Sequence, residues 1–109
     1  MHSHALAWWL LVASIAAEVV GTIALRYTEG FTRVLPSLAV CSLYGLAIWL
    51  MALAVRQLEV GLAYAVWAGA GTALTALVGM LWFGEAAHAA RLLGMGLIVL
   101  GVVCVNLEL

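Results

Sequence analysis

Charge is what this sequence has least of. It contains no lysine, its four arginines stand against five glutamates, and charged residues fill only 8% of the 109 positions. A net charge of −1 with no basic cluster argues against a nucleic-acid partner. Apolar residues make up 68% of the chain, and its mean hydropathy is +1.22. A soluble domain of this length has no interior large enough for so much apolar surface, so the fold class is an all-α integral membrane protein.

Other absences narrow the chemistry. The two cysteines, Cys41 and Cys104, both sit inside apolar runs, where cysteine serves as a small apolar filler more often than as half a disulfide. No activated nucleophile, metal-ligand cluster or phosphate-binding loop is visible, which argues against an enzyme and against any metal or cofactor. His2 and His4, two apart near the start, read as inert rather than as ligands, and His88 reads as solvated. The first apolar segment lacks a basic stretch before it and is long for a signal-peptide core, so it reads as a retained membrane helix.

Four apolar stretches are present, forming one domain over residues 1–109: about 5–27, 34–55, 60–83 and 92–107. A helix of about 20 residues, rising roughly 1.5 Å per residue, crosses a hydrocarbon core. Trp8 and Trp9 suit the interfacial belt at the start of the first segment. A turn around Gly30 follows it, and the single proline, Pro36, opens the second segment, where its missing N–H matters little.

Glu18 is the residue the chain is organised around. Between Ala5 and Leu25 no other side chain ionises. A charge at that depth costs on the order of 3 kcal/mol, so it must find a partner, a proton or water. Ser14, Gly21 and Thr22 lie three or four positions from it and share its helical face, a small and partly polar stripe suited to protein or a cavity. In the second segment, Tyr44 carries a hydroxyl too deep for the interfacial belt and needs a partner; Trp49 also lies deep. In the third, Tyr64, Trp67, Gly71 and Thr75 fall on one face, an aromatic wall able to attract a cation. The Gly69-Ala70-Gly71 run offers a hinge there. In the fourth, Gly94 and Gly101, with Leu97 and Ile98 between them, form a surface for close helix association.

Four short helices do not enclose a path for a substrate. Two copies sharing one chamber would bring two Glu18 carboxylates together, and like charges at low dielectric resist joint ionisation. Such a pair can hold protons and release them when a cation arrives. A structural or accessory membrane subunit is the competing reading. Arg26, Arg33 and Arg91 on one side of the membrane against Arg56 and the terminal amine on the other is a feeble orientation signal, which permits both insertions and hence an antiparallel dimer.

The chain resembles the small multidrug resistance family along nearly its whole length. The matching stretches are AEVVGTIALRYTEGFTRVLPS (Ala17 to Ser37), VGLAYAVWAGAG (Val60 to Gly71) and LLGMGLIVLGVV (Leu92 to Val103). The resemblance implies an antiparallel, dual-topology homodimer, multi-pass in the bacterial inner membrane and surrounded by lipid. It also implies proton-coupled export of small organic cations, and the sequence is compatible with a paralogous chain replacing one copy. Glu18 would bind both proton and substrate, with Tyr44, Tyr64 and Trp67 lining the site, Trp49 at its lipid-facing portal and the fourth helix holding the dimer. Gly21-Thr22 after Glu18 looks like the quaternary-ammonium branch, because the guanidinium-exporting branch usually has tryptophan at the position of Gly21. Gly84-Glu85 leans towards the guanidinium branch instead. Ala47 and Ala68 both stand where a hydroxyl is common. On balance the resemblance implies multidrug transport.

Overall fold

The computed structural model describes the backbone of residues 2–107 and side chains from residue 4 onward. Four helices follow one another: α1 (His2–Tyr27), α2 (Val34–Ala54), α3 (Val60–Trp82) and α4 (Ala89–Val105). The first three are long and apolar enough to cross a membrane; α4, with 17 residues, is shorter. Up-down-up-down order places the α1–α2 and α3–α4 loops at one end and the α2–α3 loop at the other.

Two helices begin earlier than the hydropathy pattern suggests. His4 lies inside α1, not in a polar lead-in, because a helix needs no apolar residue to continue to its exposed end. The side chain of His2 lies outside the described residues, so its pairing with His4 does too. α4 starts at Ala89 instead of Leu92, the His88 carbonyl accepting the amides of Arg91 and Leu92 at 3.1 Å each. Alanine is the strongest helix former, so Ala89-Ala90 carries the turn without an apolar anchor.

α1 is the central element. Its stripe of Ala7, Leu11, Ile15 and Val19 packs with Ala54, Leu58, Ala63 and Val66 into the buried cluster. Lipid tails are as apolar as leucine, so close packing and interhelical hydrogen bonds hold such helices together. The buried contacts are accordingly rich in small residues: Ala47, Ala54 and Ala63 are all within 1% of complete burial. α1 packs along α2 and, less extensively, against α3, while α4 packs mainly on α3. The result is a slab of 43 × 35 × 17 Å, thin enough for only two layers of helix.

The loops are set by local chemistry. Buried Thr28 caps the end of α1 by donating to the Leu25 carbonyl at 2.8 Å and accepting the Phe31 amide at 3.1 Å. Glu29, Gly30 and Phe31 then turn the chain through positive φ. After α3, Gly84 takes φ +67°, the left-handed conformation that glycine adopts without steric cost. That turn brings the Glu85 amide back to the Gly79 carbonyl at 3.0 Å.

Candidate functional site

Glu18 is partly buried between two hollows. A groove of about 600 Å³ runs between α1 and α3 from Glu18, past Thr22, Thr72 and Thr75, to Phe83, Glu85 and Arg91 at the loop end. A smaller hollow of about 280 Å³ opens on the other side, lined by Glu18, Tyr44, Ala47, Ile48 and Trp67. The carboxylate is therefore accessible without facing lipid alone.

Its two oxygens are held differently. Thr22, one turn further along α1, donates its hydroxyl proton to Glu18 Oε2 at 2.7 Å. The Tyr44 hydroxyl lies 2.7 Å from the same threonine oxygen. A hydroxyl has one proton, so with Thr22 donating to the carboxylate, Tyr44 donates to Thr22. The relay runs from α2 through α1 to the acid and satisfies the deep phenol. Oε1 instead leans on α3, and a Cβ at Gly71 would stand 2.7 Å from it. Glycine at 71 lets the acid approach the backbone that closely.

A second relay fixes the aromatic wall. Trp67 Nε1 donates to Ser14 Oγ at 2.9 Å, and Ser14 donates onward to the Ala47 carbonyl at 2.6 Å. Ser14 is fully buried, lines neither hollow, and ties α3 to α2 through α1. The sequence places it among pocket residues; the structure places it behind the indole as its anchor. Tyr64 and Trp67 have ring centroids 5.8 Å apart at 31°. Trp67 lines both hollows, whereas Tyr64 is 58% exposed and lines neither.

The remaining candidates separate. Gly21 seats the Tyr44 ring, whose Cδ1 and Cε1 would both lie 2.9 Å from a Cβ there. Trp49 projects outward from α2, exposed, and lines neither hollow. α3 is helical without interruption through Gly69 and Gly71. Gly69 makes room for Val102 and Ile98 of α4, so both glycines serve close packing in this arrangement. Ile98 thereby faces α3, while Gly94 and Gly101 would meet nothing within 4 Å and Leu97 is exposed. The predicted association face is open except at Ile98.

Sequence reasoning missed the loop end of the groove. Arg26 stacks on the Phe83 ring at 4.7 Å, and Arg91 Nη2 reaches Glu85 Oε1 at 3.3 Å. The only hint of the second pair was an acid and a base in one short loop.

Comparison with known proteins agrees with this architecture. The family model described as Small Multidrug Resistance protein matches residues 6–98. The quaternary ammonium compound-resistance protein QacF of Klebsiella aerogenes is 45% identical over 92% of this chain and 91% of its own length. QacE of Escherichia coli is 43% identical over the same shares. A guanidinium exporter of Citrobacter freundii is also 43% identical, over 94% of this chain and 98% of its own. With the match spanning most of the chain and covering the helices that hold Glu18, Tyr44 and Trp67, this multi-pass membrane protein belongs to the small multidrug resistance family.

Proposed function

We propose that this protein exports lipophilic or quaternary-ammonium cations across the bacterial inner membrane in exchange for protons. Two antiparallel copies would bring their Glu18 carboxylates into one chamber. Glu18 holds a proton or a cation in turn, Tyr44 and Thr22 orient it, Trp67 forms the aromatic wall, Tyr64 extends that wall, and Trp49 stands at the portal. Gly94, Leu97 and Gly101 of α4 hold the dimer. The carrying observation is the lone intramembrane carboxylate between two hollows, its oxygen bonded by a hydroxyl and an indole beside it. The thin slab supports the dimer, since one chain leaves the groove open along a side.

The seating of the Tyr44 ring against Gly21 favours the quaternary-ammonium reading, because that ring fills the space a tryptophan at 21 would need. Export of guanidinium is the second reading, favoured by 43% identity to an exporter of that name. Purified protein in liposomes under an imposed proton gradient, given a lipophilic quaternary ammonium or guanidinium, tests both. Glu18→Gln should abolish coupled export of either. Proton-driven export by that variant would remove the proposal.

A further inference from the structure

A threonine or serine on or beside a helix ordinarily spends its hydroxyl on a carbonyl of the preceding turn. Thr28 donates to the Leu25 carbonyl at 2.8 Å, Thr32 to the Glu29 carbonyl at 2.8 Å and Ser37 to the Arg33 carbonyl at 2.6 Å. Thr72 and Thr75 depart from this pattern. Neither hydroxyl bonds a described residue, although both lie well inside the membrane-spanning α3. Both line the groove that leads from Glu18 to the loop end. No buried side-chain oxygen among the described residues lacks a partner, so these two hydroxyls open on the groove.

The acid at the head of the groove has a free atom of the same kind. Thr22 bonds Oε2 of Glu18, whereas Oε1 accepts no bond from a described residue and lies against Gly71, one position before Thr72. From there Gly71, Thr75 and Gly79 follow at intervals of four on one face of α3, and the Glu85 carboxylate lies over Gly79. One helical turn rises about 5.4 Å, a gap that two hydrogen bonds of about 2.8 Å through a single water span. The groove, at about 600 Å³, offers many times the roughly 30 Å³ that one water occupies. Lipid at this depth leaves a hydroxyl unsatisfied, so cavity water is the partner that fits. The hollow on the other side of Glu18 has no such ladder. Its remaining lining is Tyr44, Ala47, Ile48 and Trp67, and the Tyr44 hydroxyl is already committed to Thr22.

We propose that Thr72 and Thr75 hold a chain of waters along which the Glu18 proton leaves Oε1 for the loop end of the groove. The carboxyl gives its proton to the first water and becomes a carboxylate, and one proton emerges at the mouth. Each threonine hydroxyl accepts from one water and donates to the next, so it orients the chain and ends each transfer unchanged. Thr72 and Thr75 are thus positioning residues. The passage of the proton rests on the exchange reading above; the water beside the two hydroxyls does not.

Two measurements on the full-length protein test this. Leu77, two positions past Thr75, is 42% exposed but lines no part of the groove, so it serves as the lipid-facing control. With Cys41→Ala and Cys104→Ala removing the native thiols, Thr75→Cys and Leu77→Cys are treated in lipid nanodiscs with a charged thiol reagent. That reagent attacks a thiolate, which forms in water and not in lipid. Thr75→Cys should label at least about tenfold faster than Leu77→Cys. In liposomes, Thr72→Val with Thr75→Val keeps the side-chain shape and removes both hydroxyls. Proton-driven exchange of a lipophilic quaternary ammonium should then slow about tenfold, for the loss of one or two hydrogen bonds to the waters, while cargo affinity stays within about twofold. Thr72→Ser with Thr75→Ser should restore the rate. Labelling no faster at Thr75→Cys, an unchanged rate in the valine pair, or a cargo affinity that falls as far as the rate would each overturn the path. All three leave the role of Glu18 standing, because that role fails only if Glu18→Gln still exports in response to a proton gradient.

Discussion

α1 and α4 are both predominantly apolar helices and meet opposite fates. α1 uses two faces within one chain: Ala7, Leu11, Ile15 and Val19 enter the buried cluster, and Ser14, Glu18 and Thr22 carry the two hydrogen-bond relays. α4 has no buried residue among those described, and Leu93, Leu97, Leu100 and Val103 are all at least half exposed. Apolar composition therefore says little about which membrane helix a single chain completes. Polar atoms decide it: a carboxylate and a buried serine on α1 require partners at fixed distances, while α4 places no such demand. The first helix finds its polar partners within its own chain, and the last leaves most of its apolar surface exposed.

Glu18→Gln tests the α1 side most severely. It removes the charge but keeps the shape and the Thr22 contact, so a folded protein with coupled export reduced to background is expected in the liposome assay. Unchanged helical content by circular dichroism would separate this loss from unfolding.

Competition at the same residue gives the next largest effect. Where proton and cation share one carboxylate, affinity falls as pH falls, by up to about tenfold per pH unit for each proton displaced. Binding should release protons in step, and the number released should decline once the site is already deprotonated. Calorimetry of a quaternary ammonium in two buffers of different ionisation enthalpy, from about pH 5 to 9, measures both quantities. An affinity flat across that range would make α1 as purely structural as α4.

Gly101→Leu probes the other side of the contrast. A side chain there meets nothing within the chain, so the monomer should keep its fold. If α4 holds a second copy, the dimer should weaken about tenfold or more by analytical ultracentrifugation, as bulk keeps the helices apart. A dimer indifferent to Gly101→Leu would move the interface to another face. Gly69→Val should do the reverse, disturbing α3 against α4 within one chain because Val102 occupies that space.

Ser14→Ala is the smallest and most local break. It strands the Trp67 N–H, a loss of about 1–3 kcal/mol where no water enters. Thermal stability should drop modestly, and cargo affinity should fall more than proton release does, because the indole is freed while Glu18 keeps Thr22. Equal loss in both would make Ser14 a general packing residue.

Much of this was legible in one dimension. The absence of lysine, the length of the apolar runs and the placement of Pro36 and Gly30 are enough for a four-helix membrane protein, since a bilayer admits few other forms for such a chain. Glu18 declared itself because a lone carboxylate at that depth is costly, and Thr22 followed from helical spacing. What spacing cannot encode is which atom a neighbouring helix presents. Ser14 shares the face of Glu18 in the sequence, yet its hydroxyl is consumed between Trp67 and the Ala47 carbonyl, across helices 33 and 53 residues away. Gly69 and Gly71 read as a weak point in α3 until Val102 and Glu18 are seen filling the space they leave. Glu85 was given no place in the site from the sequence, yet a left-handed glycine folds it over Gly79 and into the groove of Glu18. Composition and periodicity determined the number of helices and the residue that needs a partner. The partners themselves, and the second acid in the groove, depend on how helices distant in sequence come to lie together, which only the tertiary structure decided.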